Sequence, residues 1–446
     1  MSRDVWRSSI LRSSLTLISG TVLTQAIAFL CSPVLSRIFT ATDFGNLANY
    51  NAWVSILALA AGLRYEQAIP IATSRSSAQR IVALTAALSF GSFVLYAAIG
   101  LVIHFAAPST GYLKAISGFI LIIPFGVLLA CLCSILIQVN VKAGRFKRLA
   151  VAAAVQVIST IICQIVLGLQ QVAYALLWGN LAGSLLAALL LGALSIRSGD
   201  FAGLRASLAQ TRLANVGRTY ANFPRYALPA DLIAVVTQQF TSVFILALFS
   251  PALAGLYAFG LRIVRVPLLV ISTAINAVLR KHGVDHLASE GNLQSLFKGI
   301  LWPLLLLGLV PFAAIALAGG RLFGALFGPG WVAAGQAVQI LSPGILLEFV
   351  ALPLSVFFII TNSQRYMFAI QLSGLTALVG ALVVGKYYFN DFLETCYLLS
   401  AVMVLVNGAS IVLSRKVANR RHPPPKPTPS ETGSPVWVEA EARVVA

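Results

Sequence analysis

The sequence predicts an all-α polytopic membrane protein, with twelve transmembrane helices in two pseudo-symmetric six-helix lobes around a central cavity. Of the 446 residues, 59% are hydrophobic and only 10% are charged, whereas soluble domains have roughly 25% charged residues. Long apolar runs recur along the chain, and about 20 consecutive apolar residues suffice to cross the hydrocarbon core. The continuous apolar character excludes an outer-membrane barrel, whose strands would alternate polar and apolar residues.

The apolar runs set the boundaries of the twelve predicted spans. In the first half of the chain the spans are 14–39, 46–72, 78–104, 114–138, 150–169 and 173–195. In the second half they are 228–249, 256–279, 297–318, 336–360, 367–385 and 393–413. An even number of spans places both termini on the same side of the membrane.

A polar, arginine-rich segment divides the spans into two equal groups. We therefore predict four regions in the chain, an amino-terminal lobe, a cytoplasmic linker, a carboxy-terminal lobe and a disordered cytoplasmic tail, at 1–196, 197–227, 228–418 and 419–446. The tail is rich in proline and polar residues, which cannot bury a hydrophobic core.

The two halves share a weak internal repeat. Three identities occur at an offset of 210 residues, namely Phe39 with Phe249, Gly45 with Gly255 and Ala48 with Ala258. Because each half contains six spans, both halves begin on the same side of the membrane. A duplication would therefore be parallel, with its axis along the membrane normal and a cavity between the lobes.

The basic residues predict the orientation of the chain. The net charge is +18, which in a soluble protein would favour a nucleic-acid partner. Most Lys and Arg residues lie on the side of the amino terminus, whereas the opposite face has only Arg37, Lys114, Arg321 and Lys386. This bias is typical of cytoplasmic loops. We therefore expect both termini in the cytoplasm, the membrane as the environment and no nucleic-acid partner.

Three carboxylates lie within predicted spans, where ionisable groups are rare and usually functional. Glu66 and Asp231 are expected in the cytoplasmic half of the membrane and Glu348 near its middle. A carboxylate in such surroundings can take up and release protons, as a proton-coupled carrier requires. The alternative is a fixed ion pair between helices. On a continuous helix Arg64 and Glu66 cannot face each other, so we expect another partner for Glu66.

Arginines and amides within the spans are candidate substrate ligands. Arg262 and Arg265 lie one turn apart on one helix face, and arginine can donate two parallel hydrogen bonds to a diphosphate. Asn49 and Gln238 are candidate ligands for sugar hydroxyls. The alternative for all four residues is polar contact between neighbouring helices.

Catalytic or resident-metal chemistry is not expected from the sequence, and no cofactor is predicted. The kinase-like triplet at residues 43–45 lacks the other kinase motifs. The predicted outer connections are all short, which argues against a membrane polysaccharide polymerase or ligase with a large catalytic loop.

Three stretches resemble the polysaccharide transporters of the multidrug, oligosaccharidyl-lipid and polysaccharide exporter (MOP) superfamily, specifically the Wzx-type O-antigen and exopolysaccharide flippases. The first is LSRIFTATDFG at 35–45, similar to the first periplasmic turn of the family. The second is LRYEQAI at 63–69, similar to an Arg-Tyr-Glu segment in the second helix. The third is FGPGW at 327–331, followed by ILSP at 340–343.

The resemblance implies a bacterial inner-membrane flippase that alternates between inward-open and outward-open states. Its cargo would be an undecaprenyl-diphosphate-linked oligosaccharide, moved to the periplasmic leaflet in exchange for protons or sodium. The glycan polymerase and the export machinery would be its protein partners. The family's second-helix acid and the neighbouring arginine correspond to Glu66 and Arg64, so Arg64 joins the candidate substrate ligands.

Two other readings remain open from the sequence. One is a cation-coupled multidrug exporter of the same superfamily, whose organic-cation cargo would be repelled by Arg64, Arg262 and Arg265. The other is the polymerase or ligase considered above. A third possibility, a scaffold for a glycan-assembly complex, would leave the intramembrane charges without a purpose.

Overall fold

The computed structural model describes residues 20, 22–106, 112–202, 213–290, 293–361 and 363–420. The helices of the first lobe are α1 (Val22–Ile38), α2 (Ala41–Gly62), α3 (Arg75–Ala106), α4 (Ile123–Lys142), α5 (Phe146–Leu169) and α6 (Ala175–Arg197). Those of the second lobe are α7 (Leu228–Leu248), α8 (Pro251–Glu290), α9 (Gln294–Phe327), α10 (Val332–Leu354), α11 (Gln364–Val384) and α12 (Phe392–Ala418).

The all-helical architecture with two six-helix lobes is confirmed. Within the described residues, ten helical stretches are long and apolar enough to cross a membrane. The other two spans are α1, whose described apolar part is shorter, and α2, which has 22 residues and several amides. We call the side where α6 ends and α7 begins the linker side, and the side where α1 ends and α2 begins the opposite side.

The predicted second span, 46–72, is wrong as a continuous helix. Helix α2 ends at Gly62, and Leu63 and Arg64 both have left-handed backbones, with φ of 48° and 62°. A short 3-10 helix, Tyr65–Ala68, then continues the chain. A left-handed backbone costs a residue with a side chain about 1–2 kcal/mol, so the surrounding contacts must hold this break in place.

Other boundaries also differ from the sequence prediction. The predicted span 114–138 consists of a short helix, Tyr112–Ser117, followed by α4. Helix α8 runs well past the predicted end at 279. Part of the predicted linker, 203–212, and the tail from 421 onwards lie outside the described residues, and the proposed domain boundaries stay predictions.

The start of α2 is fixed by local chemistry at the opposite side. Thr40 and Asp43 form a reciprocal capping box: the Thr40 backbone N–H donates to Asp43 Oδ2 at 2.9 Å, and the Asp43 N–H donates to Thr40 Oγ1. The box satisfies two backbone donors that the first helical turn leaves free. It therefore fixes where α2 begins and aims the next residue, Phe44, at the second lobe.

The two lobes meet where α2 crosses α8, and the contact is reciprocal. A Cβ atom on Gly45 would overlap the carbonyl of Pro251, and a Cβ atom on Gly255 would overlap the carbonyl of Ala41. The two contacts are equivalent under the 210-residue offset of the sequence repeat, because Gly45 corresponds to Gly255 and Ala41 to Pro251. The crossing therefore lies on the axis that relates the two lobes.

Aromatic side chains close the opposite side of this crossing. Phe44 of α2 lies 4.8 Å from Phe259 and 5.2 Å from Trp331 in edge-to-face contacts, and Phe259 lies 4.1 Å from Trp331. Phe327 packs on Phe259 at 5.1 Å. We call these four residues the aromatic cluster. It joins α2 of one lobe to α8, α9 and the start of α10 of the other.

Hydrogen bonds connect the same cluster to the end of α1. The indole Nε1 of Trp331 donates to the carbonyl oxygen of Ser36 at 2.8 Å, and the hydroxyl of Ser36 donates to the carbonyl oxygen of Phe327 at 3.1 Å. Two of the stretches that carried the resemblance, 35–45 and 327–331, therefore contact each other directly. Together they hold the lobes closed at the opposite side.

Candidate functional site

A cavity of about 730 Å³ lies between α2 of the first lobe and the helices of the second lobe. It is within the range of roughly 300–1,000 Å³ typical of small-ligand sites. Phe44 and Phe259 of the aromatic cluster line it. Its polar lining comprises Asn51, Thr237, Gln238, Gln239, Thr241, Ser242, Tyr257, Arg262, Arg265 and Glu348. These groups converge from four helices, α2, α7, α8 and α10, so the cavity depends on how the two lobes sit together.

Arg262 is the unpaired charge of this cavity. Its side chain is exposed to the cavity, and no carboxylate or hydrogen-bond acceptor among the described residues pairs with it. A guanidinium within a membrane protein is expensive unless water or an anion satisfies it. The position therefore requires either a hydrated cavity or an anionic ligand.

Arg265, one turn further along α8, is already paired. Its Nη2 and Nε donate to Oε2 of Glu348 at 2.8 and 3.2 Å. The bond joins α8 to α10, and both side chains line the cavity. Since the two charges cancel, Arg262 leaves the polar lining cationic by one charge.

A second charged cluster lies towards the linker side, at the break after α2. Arg64 Nε donates to Oδ2 of Asp231 at 2.7 Å, and Arg64 Nη1 donates to Oε1 of Glu66 at 3.4 Å. Gln67 Nε2 also reaches Asp231, at 3.4 Å. Because Asp231 belongs to α7, the arginine bridges the two lobes.

The pairing of Arg64 with Glu66 corrects the expectation that they could not face each other. That expectation assumed a continuous helix, on which residues two apart point away from each other. The left-handed backbones of Leu63 and Arg64 redirect the chain, so both side chains turn to the same region.

The predicted residues therefore divide into two groups. The central cavity contains Gln238, Arg262, Arg265 and Glu348, and the linker-side cluster contains Arg64, Glu66 and Asp231. Asn49 belongs to neither group. It is fully buried, its Nδ2 donates to the carbonyl of Gly45 at 3.1 Å, and it does not line the cavity.

Asn51, which the sequence analysis did not select, lines the cavity in place of Asn49. Two positions along a helix rotate a side chain by about 200°, so only one of the two amides can face the second lobe. The oxygen of Asn51 accepts a hydrogen bond from Asn180 at 3.0 Å. Asn51 lies seven residues, about two turns, after Phe44 and so shares its helix face. Because Phe44 contacts the second lobe, this spacing identifies the inward-facing amide.

The fold is similar to that of solved transporters. A multidrug resistance MATE family transporter of the MOP superfamily, in an inward-facing conformation, aligns with a TM-score of 0.62 at 14% identity, covering 89% of this chain and 97% of that one. The lipid II flippase MurJ, in an inward closed conformation, aligns with a TM-score of 0.59 at 12% identity, covering 92% and 87%. A MOP superfamily transporter from Pyrococcus furiosus aligns at 0.54 and 12% identity, covering 92% and 95%.

Comparison by sequence finds a match to a family but not to an individual curated protein. No curated protein matches the chain in sequence. A family model described as polysaccharide biosynthesis protein matches residues 34–333. The matched region contains the capping box at the start of α2 and Trp331 of the aromatic cluster. It also contains the charged residues of the central cavity and of the linker-side cluster, except Glu348. The chain therefore belongs to the polysaccharide biosynthesis protein family, with the fold of the MOP superfamily transporters.

Proposed function

We propose that this protein is a flippase that moves an undecaprenyl-diphosphate-linked oligosaccharide from the cytoplasmic to the periplasmic leaflet of the bacterial inner membrane. It would work by alternating access in exchange for cations. The observation that carries the proposal is Arg262, an unpaired guanidinium facing a cavity between two lobes. Membership of a polysaccharide biosynthesis family supports a glycan as part of the cargo.

A diphosphate bearing a sugar meets two difficulties in crossing a bilayer, its charge and its hydroxyls. Arg262 offers a planar fork of donors to the diphosphate and stays charged at any depth. The amides Asn51, Gln238 and Gln239 line the same cavity and can both donate to and accept from sugar hydroxyls. The cavity therefore combines one excess positive charge with neutral polar groups.

The contacts between the lobes suit alternating access. The aromatic cluster closes the opposite side, so in this conformation the cavity would communicate with the linker side, which we take to be cytoplasmic. Opening the opposite side requires separation of Phe44 from Phe259 and Trp331. Rocking of the two lobes about the α2–α8 crossing would achieve this without remodelling either lobe.

A multidrug exporter is the second candidate, and its fold is the same. An organic cation would have to enter a cavity in which Arg262 is not neutralised, and like-charge contact in a partly dry site is unfavourable. A polysaccharide polymerase or ligase would need a larger catalytic region. On the opposite side, the connection from α5 to α6 comprises only residues 170–174, and that from α9 to α10 only residues 328–331.

The proposal is tested by binding of undecaprenyl diphosphate to the purified protein, with undecaprenyl monophosphate as the reference lipid. Arg262→Gln should weaken binding of the diphosphate about 10- to 100-fold, the loss expected when one or two charge-assisted hydrogen bonds are removed. Arg321→Gln is the matched control, because that arginine is exposed near the end of α9 on the opposite side and does not line the cavity. Equal affinity of wild type and Arg262→Gln would contradict the proposed cargo site.

A further inference from the structure

Glu66 has one carboxylate oxygen that the ion-pair network does not use. Oε1 accepts from Arg64, but Oε2 is buried and has no hydrogen-bond partner among the described residues. The residue is 6% exposed. A buried carboxylate oxygen without a donor loses its hydration without compensation, so this atom indicates a missing ligand.

Oε2 belongs to a small polar cavity inside the first lobe. The cavity has a volume of about 70 Å³, and its polar lining comprises Ser55, Arg64, Glu66, Thr85, Cys131 and Ser134. One water molecule needs only about 10–15 Å³ measured in this way, so a cation and a few waters fit. A Cβ atom at Gly62 would lie 2.9 Å from Oε2, so the glycine leaves room beside the carboxylate.

Two of the three hydroxyls that line this cavity, those of Ser55 and Thr85, are oriented to accept. The Ser55 hydroxyl donates its proton to the carbonyl of Asn51 at 2.7 Å, and the Thr85 hydroxyl donates to the carbonyl of Ile81 at 2.9 Å. Each oxygen therefore keeps its lone pairs for another partner. Lone pairs and one carboxylate oxygen form a set of hard oxygen ligands, which suits an alkali or alkaline-earth cation rather than a transition metal.

The charge balance selects a monovalent cation. Glu66 provides one negative charge, and Arg64 on its other oxygen already opposes part of it. A divalent ion would leave the pocket with an uncompensated positive charge, whereas a single positive charge neutralises Glu66. A carboxylate oxygen has a high charge density and therefore favours the smaller Na⁺ over K⁺.

We propose that the pocket formed by Glu66, Ser55, Thr85 and Ser134 is a sodium-binding site within the first lobe. The coupling role of this site rests on the proposed transport function, but its occupancy does not. Binding of Na⁺ at Oε2 neutralises Glu66, which then competes less for Arg64. Arg64 is left to Asp231, so sodium strengthens the bridge between the lobes at the linker side.

This linkage defines what the ion does. A ligand shifts a conformational equilibrium only by its difference in affinity between the two states. Sodium bound beside Glu66 favours the state in which Arg64 contacts Asp231, and by reciprocity that state binds sodium more tightly. The Arg64–Asp231 bond spans the two lobes, so an ion inside one lobe acts on the arrangement of both.

The test is equilibrium binding of radioactive ²²Na⁺ to the purified full-length protein without lipid cargo. Binding should saturate and be displaced by unlabelled Na⁺, but not by K⁺ at the same ionic strength. Glu66→Gln should abolish it, and Thr85→Val and Ser134→Ala should each weaken it about tenfold, the effect of one lost ligand oxygen. Glu394→Gln, an exposed carboxylate at the start of α12, is the matched control and should bind as wild type does.

Absence of saturable Na⁺ binding would overturn the inference, as would full binding by Glu66→Gln. Should Glu66→Gln not purify as a monodisperse protein, Thr85→Val and Ser134→Ala decide the matter. Displacement of ²²Na⁺ by K⁺ as effectively as by unlabelled Na⁺ would also contradict a sodium site. If diphosphate lipid binds through Arg262 but sodium does not bind, the sodium site fails while the flippase proposal stands. If sodium binds but the diphosphate lipid does not, the sodium site stands while the flippase proposal fails.

Discussion

Gly45 and Gly255 face each other across the boundary between the two lobes. A Cβ atom on Gly255 would lie 2.7 Å from the backbone nitrogen of Gly45, and one on Gly45 would lie 3.1 Å from the nitrogen of Gly255. The pair sits at equivalent positions of the two sequence halves. Small residues allow helix backbones to approach closely within a membrane, and here they permit the crossing about which the lobes would move.

Gly255→Ala should therefore destabilise the contact between the lobes. The added methyl group would meet the carbonyl of Ala41, and overpacking of this kind costs about 1–3 kcal/mol. We expect a lower thermal unfolding midpoint of the purified protein and reduced glycan export. Gly91→Ala, whose new Cβ would meet no atom within 4 Å, is the control. Equal midpoints for both variants would show that the crossing is not tightly packed.

The bridge between Arg64 and Asp231 predicts non-additive substitutions. Arg64→Gln and Asp231→Asn each break the same bond, so their combined effect should fall short of the sum by about 0.5–3 kcal/mol. The free energy of unfolding in mixed detergent micelles measures this. Arg64→Gln combined with Glu348→Gln is the control cycle, because Glu348 pairs with Arg265 instead. Additive effects in the first cycle would mean that the bridge is not formed in solution.

The aromatic cluster should control access from the opposite side. Ala48→Cys places a thiol in the cavity lining, and in a chain whose five native cysteines are replaced it reports on access. A membrane-impermeant thiol reagent applied from the periplasm should label it slowly. Adding Trp331→Ala should speed labelling at least about tenfold, because the substitution removes a buried aromatic side chain and its hydrogen bond to Ser36.

Trp302→Ala is the matched control for this experiment, since Trp302 is exposed on α9, 25 residues before Phe327 of the cluster. Labelling that is equally fast with and without Trp331→Ala would mean that the cluster does not close the cavity. Trp331→Phe, which removes the hydrogen bond to Ser36 but keeps an aromatic side chain, should give an intermediate labelling rate.

Glu66→Gln should largely abolish export of the surface glycan while leaving the protein in the membrane. The amide cannot neutralise a cation, and Arg64 loses one of its two carboxylate partners. Export is measured by the amount of surface polysaccharide in a deletion strain that carries the variant. The Glu394→Gln variant should restore export to the wild-type amount. Unchanged polysaccharide with Glu66→Gln would remove Glu66 from the mechanism.

Much of this architecture was predictable because membranes impose simple rules on sequences. Apolar length gave most of the spans, whereas the orientation inferred from the side preference of Lys and Arg stays a prediction. The offset repeat indicated Gly45 and Gly255 as related positions, and the structure places both at the crossing of the lobes. The ionisable residues in the spans were selected because lipid excludes them, and most of them line the cavity or bridge the lobes.

The missed features depend on tertiary contacts. The break at Leu63 and Arg64 has no Gly or Pro at the two left-handed positions, and the preceding Gly62 is by itself only a weak signal for the end of a helix. The partner of Arg64 in the other lobe, Asp231, is 167 residues away, and the partner of Arg265, Glu348, is 83 residues away, beyond any local pattern. Asn49 was chosen over Asn51 because hydropathy gives the extent of a span but not the rotation of its helix.

Translocation in reconstituted vesicles tests the central claim most directly. Vesicles containing the purified protein and an undecaprenyl-diphosphate-linked oligosaccharide, with a sodium or proton gradient, are sampled for cargo exposed to an external glycosidase. We predict protein-dependent movement between leaflets that falls at least about tenfold in Arg262→Gln, one charge-assisted hydrogen bond being worth that factor, and that is retained in Arg321→Gln. Equal rates in vesicles with and without protein, or with wild type and Arg262→Gln, would contradict the account.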